Sequence, residues 1–396
     1  MNWIKKNATL LAGCMFILAA IVVLVTILPG GDSTMQEQPT TEATMPSTEA
    51  TEPSVDPASL VYDLKEDVHY FGRTYEKDSI QYFNWSASGF SVRFQGSGVV
   101  AEIYSNDPDL RNMAYLKIYV DGEEMEDVPL KDTRQTVVLA EGLDPTVAHT
   151  VRVLKRTNAR SSTAGVGEIR LLDGKILPPE EDKEKLIEFI GDSLTVGYVA
   201  AKGGNSANAW STTTEDATKT YSKQIADAFD ADYQVVAISG RGVVRNNGGD
   251  TDILFPEIYR SLDLYNNPGV DYDFDKQPDV IVINLGTNDE SAANSGLSQT
   301  VFKDGLYAFL KEVREKNPNA QIIYAYGLVR TRLSGAIEAV VDQMRSEGDS
   351  KIHYLQLKQC EAWELNLNHT VAKAYTSRGE AIIDKIEEIT GWKSAE

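Results

Sequence analysis

The residues best suited to chemistry in this chain stand where apolar runs stop. Residues 187–190 (Ile-Glu-Phe-Ile) lead directly into Gly191-Asp192-Ser193, a turn that exposes one serine hydroxyl beyond the end of a strand. A serine in that position is a nucleophile once a base takes its proton. The same tripeptide is also ordinary turn chemistry, with Asp192 or Ser193 capping the next helix. Its companions decide between the two readings. Residues 233–238 end on Ser239-Gly240-Arg241-Gly242, residues 279–285 end on Gly286-Thr287-Asn288-Asp289, and Asn366-Leu367-Asn368-His369 precedes a long helical pattern. In an open parallel α/β sheet such strand ends face one crevice. Of the four histidines, His69 and His149 fall in a β-patterned region and His353 inside a strand, which leaves His369 as the candidate base.

With these blocks in this order, the chain resembles the SGNH, or GDSL, hydrolases. A β-patterned segment of roughly a hundred residues ahead of them, ending on the strand-like run 167–174, makes it similar to the two-domain acetyl esterases of carbohydrate esterase family 2. The resemblance spans about residues 60–391. It implies Ser193 as nucleophile, His369 as base, and an oxyanion hole made by the backbone N–H groups of Ser193 and Gly240 and the side-chain amide of Asn288. Gly242 is an alternative to Gly240, because the Ser-Gly-Arg-Gly turn aligns two ways. Two positions depart from the pattern. The superfamily usually has an aspartate three residues before the histidine, where this chain has Asn366, and a proline after it, where this chain has Thr370. Some family 2 esterases use a Ser-His dyad with the ring held by a backbone carbonyl; the dyad is the reading favoured here, with Glu361 or Glu364 as alternative orienting acids.

The elements that must position these groups follow from periodicity. Beyond 183, apolar strands at 186–190, 235–238, 280–284, 321–326 and 352–357 alternate with helical patterns at 221–229, 301–316, 335–345 and 371–389. That alternation predicts an α/β domain (183–396) with a parallel sheet flanked by helices. Residues 60–177 carry period-two patterning, as in Phe90, Val92 and Phe94, and predict an all-β sandwich, for which the resemblance implies a jelly roll. Pro178-Pro179 marks the hinge.

Ahead of both domains, Lys5 and Lys6 precede an almost wholly apolar stretch at 8–28, long enough to span a membrane with its N-terminal side in the cytoplasm. Residues 1–29 are therefore expected to anchor the chain, with a cleaved signal peptide or a lipoprotein box at Cys14 as rival readings. All three export the protein. Residues 30–59, rich in Thr, Ser, Pro and Glu, predict an extended tether. The expected localisation is thus the cell membrane, with the catalytic part outside.

A net charge of -21, from 38 Lys and Arg against 59 Asp and Glu, argues against nucleic acid as a partner. The only cysteines, Cys14 and Cys360, offer no disulfide within the folded part. Scattered histidines support no metal site, no phosphate loop is present, and no cofactor is called for. The expected function is removal of O-acetyl groups from a carbohydrate such as acetylated xylan. A carbohydrate-binding protein with a degenerate site, or a glycan O-acetyltransferase, is the alternative.

Overall fold

The computed structural model describes residues 62–395, except 63, 107, 108 and 110. The expected span at 8–28 and the tether at 30–59 lie outside the described residues, and no described helix is long and apolar enough to cross a membrane.

Near-continuous apolar runs need cover on both faces, and the five strands of the C-terminal half receive it. They pair in the order Asp232–Ala237, Leu186–Gly191, Val280–Asn284, Gln321–Tyr326, Ile352–Gln356, all parallel. Alternate side chains point to opposite cores. Ile281 and Ile283 join Ile322 and Tyr324 under Phe302, Leu306, Phe309 and Leu310 of helix Gln299–Lys316 and Ile337 and Val340 of helix Ser334–Ser346. Val280 and Val282 face Ile225 of helix Tyr221–Ala228 and Ile382 and Ile386 of helix Tyr375–Thr390. This order reverses chain direction across the sheet between Leu186–Gly191 and Val280–Asn284, so the crevice beyond their carboxyl ends is where such a sheet binds ligands.

The N-terminal part is a pair of antiparallel sheets. Phe90, Val92 and Phe94 of strand Gly89–Gln95 meet Val99, Ala101 and Ile103 of strand Val99–Tyr104 in one apolar core. The expectation of an all-β sandwich is met at this level. Its buried contact with the α/β part joins apolar groups, with Trp85, Ala87 and Ala159 set into the cores beside the parallel sheet, to a set of polar ones. Arg73 donates to the carbonyls of Tyr259 and Ser261 (2.6 and 2.9 Å) and pairs at 3.4 Å with Glu188 on the parallel strand Leu186–Gly191. Asn84 donates to Asp263 (2.6 Å), and the Trp85 indole donates to the Leu262 carbonyl (2.7 Å). Breaking such contacts leaves buried charges unpaired, so the sandwich is fixed as a wall of the α/β domain.

Two stretches differ from expectation. The last helix begins at Tyr375 rather than 371, because Leu365–Asn366 and His369–Thr370 form a small antiparallel pair that carries the chain to it. Between the second and third sheet strands, helix Phe255–Arg260 and the antiparallel pair Ser261–Asp263 and Asn267–Asp271 carry no periodicity long enough to read.

Candidate active site

The sharp turn at the end of strand Leu186–Gly191 depends on Gly191. A Cβ there would stand 1.9 Å from Thr195 Oγ1, so only glycine lets the chain fold back this tightly. Asp192 then caps the four-residue helix Ser193–Val196, its Oδ1 accepting the Leu194 N–H at 3.0 Å. The turn divides its groups between neighbours. Asp192 is the cap, and the Ser193 hydroxyl donates to His369 Nε2 at 2.8 Å.

His369 reaches that position through the two-residue turn Leu367-Asn368, with φ of +47° and +61°. Positive φ at both central residues is the geometry of a type I′ hairpin turn, which Asn tolerates and Leu does not favour. The strained leucine turns its carbonyl onto the ring, where His369 Nδ1–H donates to Leu367 O at 2.8 Å. A carbonyl only accepts, so Nδ1 carries the proton, and Nε2 of the neutral ring is left bare to receive the serine proton. Tyr198 stacks on the imidazole with ring centres 4.0 Å apart, and Trp210 stacks on Tyr198 at 5.5 Å. Burial holds the imidazole below its ordinary pKa of 6.5, with the Leu367 carbonyl partly opposing that shift. Asn366, by contrast, points away from the ring and donates to the carbonyls of Gly204 and Ala207 at 2.7 and 2.9 Å. Glu364 is buried in a two-pronged pair with Arg378 at 2.7 and 2.8 Å, and Glu361 is exposed.

Gly240 and Asn288 border the same cleft. Gly240 has φ +81°, a conformation that favours glycine, and only the Arg160 guanidinium lies near where its Cβ would stand. Gly242 sits deeper, its N–H donated to Asn246 Oδ1 at 3.2 Å, so the geometry favours Gly240 between the two alignments. Asn288 Nδ2 donates to Asp192 Oδ2 (3.1 Å) and to Arg241 O (2.7 Å), which engages both of its amide hydrogens in the free site. Its two successors, both carboxylates, tie down the flanking loops. Asp289 accepts the N–H groups of Val243, Val244 and Arg245 at 2.7–2.9 Å. Glu290 accepts those of Arg332 and Leu333 at 2.9 and 3.1 Å. Burial raises the Asp289 pKa and pushes that of Asp192 up to about 7. Sequence patterning does not reveal these clamps, nor the Tyr198–Trp210 stack, since each joins residues distant in the chain.

The cleft measures about 840 Å³ and is shared by the two halves of the fold, with Asn106, Asn158 and Arg160 of the sandwich facing Ser193 and His369. Comparison with known proteins accounts for this shared architecture. The profile of the family "Carbohydrate esterase 2 N-terminal" matches residues 70–179, and that of the "GDSL-like Lipase/Acylhydrolase family" matches residues 189–376. An acetylxylan esterase / glucomannan deacetylase of Cellvibrio japonicus is 33% identical over 61% of this chain and 67% of its own length. The chain belongs to the family 2 carbohydrate esterases.

A family two carbohydrate esterase from Clostridium thermocellum, solved in complex with cellohexaose, superposes with TM-score 0.75 at 26% identity, over 82% of this chain and 99% of that one. The cellulase/esterase CelE of Acetivibrio thermocellus is 31% identical over 69% of this chain, which spans a third of that relative's length. Within the family, this esterase presents a histidine held by a main-chain carbonyl, with Asn366 engaged elsewhere. One grouping outside the cleft could ligate a metal: His69, Asp182 and Asp232 bring ligand atoms within 4.8 Å of one another. Its carboxylates already have partners, Asp182 in His69 and Lys276 and Asp232 in the Lys183 N–H.

Proposed function

We propose that this esterase removes O-acetyl groups from a β-linked polysaccharide, acetylated xylan or glucomannan, through an acetyl-Ser193 intermediate. The observation that carries this reading is the 2.8 Å donation from Ser193 Oγ to a histidine whose other nitrogen is spent on a carbonyl. Ser193 Oγ attacks the acetyl carbonyl carbon while its proton passes to His369 Nε2. The carbonyl π electrons move onto oxygen, where the N–H groups of Ser193 and Gly240 receive the charge. Asn288 joins them by redirecting the N–H now given to Arg241 O, since its other N–H holds Asp192. The tetrahedral intermediate collapses, and the sugar oxygen leaves with the proton from Nε2. Water then attacks acetyl-Ser193, with His369 again taking and returning a proton, and acetate departs. Display outside the cell on the segment at 8–28 fits a polymeric substrate that cannot enter a cell.

Acetate release from acetylated xylan and acetylated glucomannan, by wild type and by Ser193→Ala, tests the proposal. The expected result is turnover by wild type and a loss of at least about a thousandfold in the variant. Equal turnover by both proteins refutes the role of Ser193. Tight binding of the glycan by wild type with no acetate released would establish the binding-only reading instead.

A further inference from the structure

We propose that the cleft selects acetylated glycans that carry carboxylates, as uronic acid residues do, through the guanidinium groups of Arg160 and Arg330. This deepens the esterase reading above and rests on it. The chain carries a net charge of -21, yet among the described residues lining the cleft there are two arginines and no aspartate or glutamate. Several arginines elsewhere are paired with carboxylates: Arg73 with Glu188, Arg156 with Asp127, Arg314 with Asp349 and Arg378 with Glu364. Neither Arg160 nor Arg330 has a carboxylate partner among the described residues. Two guanidinium groups in a cleft without a carboxylate of its own are open to one from a ligand, and a planar fork of donors matches a carboxylate.

Both arginines are also delivered by pinned backbones. Below Arg160, the buried Lys155 ammonium donates to the carbonyls of Thr157 and Asn158 (2.7 and 3.2 Å), and the buried Glu215 carboxylate accepts the Asn158 N–H (2.9 Å). The Arg160 N–H itself donates to Asn158 Oδ1 at 3.0 Å. From there the exposed side chain reaches beside Gly240, with Nη1 3.8 Å from where a Cβ on that glycine would stand. On the other flank, Glu290 holds Arg332 and Leu333 and so fixes the loop bearing Arg330. Gly240 follows the edge strand Asp232–Ala237, and Arg330 follows Gln321–Tyr326, three positions across the sheet, with Ser193 between them. Three strand spacings amount to about 14 Å, so a chain laid across the sheet ends passes one cation on each side of the serine.

The test uses the full chain on acetylated glucuronoxylan, on the same polymer stripped of its uronate groups but still acetylated, and on p-nitrophenyl acetate. Wild type is expected to show kcat/KM per acetyl group about tenfold higher on the acidic polymer at low salt. That ratio should fall towards unity as added salt shortens the screening length below about 8 Å. The double variant R160Q/R330Q should lose the ratio, and R160K/R330K should keep part of it, since charge survives while the fork does not. A wild-type ratio near unity, or one that neither salt nor R160Q/R330Q changes, overturns the proposal. If wild type fails to turn over p-nitrophenyl acetate and both polymers alike, the esterase reading falls; turnover without preference sinks this inference alone.

Discussion

Replacing Asn366 by aspartate restores the residue that the superfamily usually carries three places before its histidine, and no gain in activity is expected from it. The Asn366 amide donates to Gly204 O and Ala207 O at 2.7 and 2.9 Å rather than turning towards His369. A carboxylate placed there has no N–H to give and sets negative charge against two carbonyl oxygens. Losing two neutral hydrogen bonds costs about 2 kcal/mol net, and unpaired acceptors raise that figure. Asn366→Asp should therefore lower the denaturant midpoint at neutral pH by an amount equal to about 2–3 kcal/mol, measured by urea unfolding. Its kcat/KM on p-nitrophenyl acetate should stay below wild type. Asn366→Ala removes the same bonds without adding charge, so about 2 kcal/mol of stability is expected to go. Activity should fall by less than about tenfold, or 1.4 kcal/mol of transition-state stabilisation. A several-fold rise in kcat for Asn366→Asp, or a loss in Asn366→Ala as deep as that of His369→Ala, would refute the assignment of the ring's orientation to Leu367 O rather than to residue 366.

Further outcomes follow from the same geometry. Because burial holds the His369 pKa below 6.5, and only the neutral ring serves as a base, kcat/KM should rise with pH through a midpoint below 6.5. A midpoint at about 7 would assign the rising limb to Asp192 instead. Asp289→Ala leaves three backbone N–H groups of the Gly240 loop, that of Val243 buried and those of Val244 and Arg245 half-buried, without their acceptor, which should cost roughly 2 kcal/mol or more. An unchanged melting temperature in a thermal scan would show that the loop does not depend on that clamp.

Where a signal is local and periodic, the sequence shows it plainly. The helical pattern at 301–316 places Phe302, Leu306, Phe309, Leu310 and Val313 on one face, and all five are buried against the sheet in helix Gln299–Lys316. The strand ends bearing Ser193 and Asn288 are legible for the same reason, since an apolar run stops abruptly on turn residues. The hairpin that carries His369 is not, because its turn is Leu367-Asn368 with positive φ at a leucine, and no propensity favours that choice. Its cause is tertiary: Leu367 packs against the core on that side of the sheet, and its carbonyl meets the ring. Asn158 and Arg160 belong to the sandwich, yet they reach the cleft because Lys155 and Glu215, far apart in sequence, are buried beside the same loop. Long-range polar contacts of this kind leave no period to read.

In the proposed reaction Ser193, activated by His369, forms the covalent bond. Treating the protein with a p-nitrophenyl phosphate triester, whose phosphorus is attacked as an acetyl carbon would be, and mapping the label by peptide mass spectrometry tests it most directly. A single label on Ser193 Oγ, activity lost in proportion to labelling, and protection by substrate are expected. A label on another residue that accompanies the loss, or full turnover by protein labelled at Ser193, would contradict it.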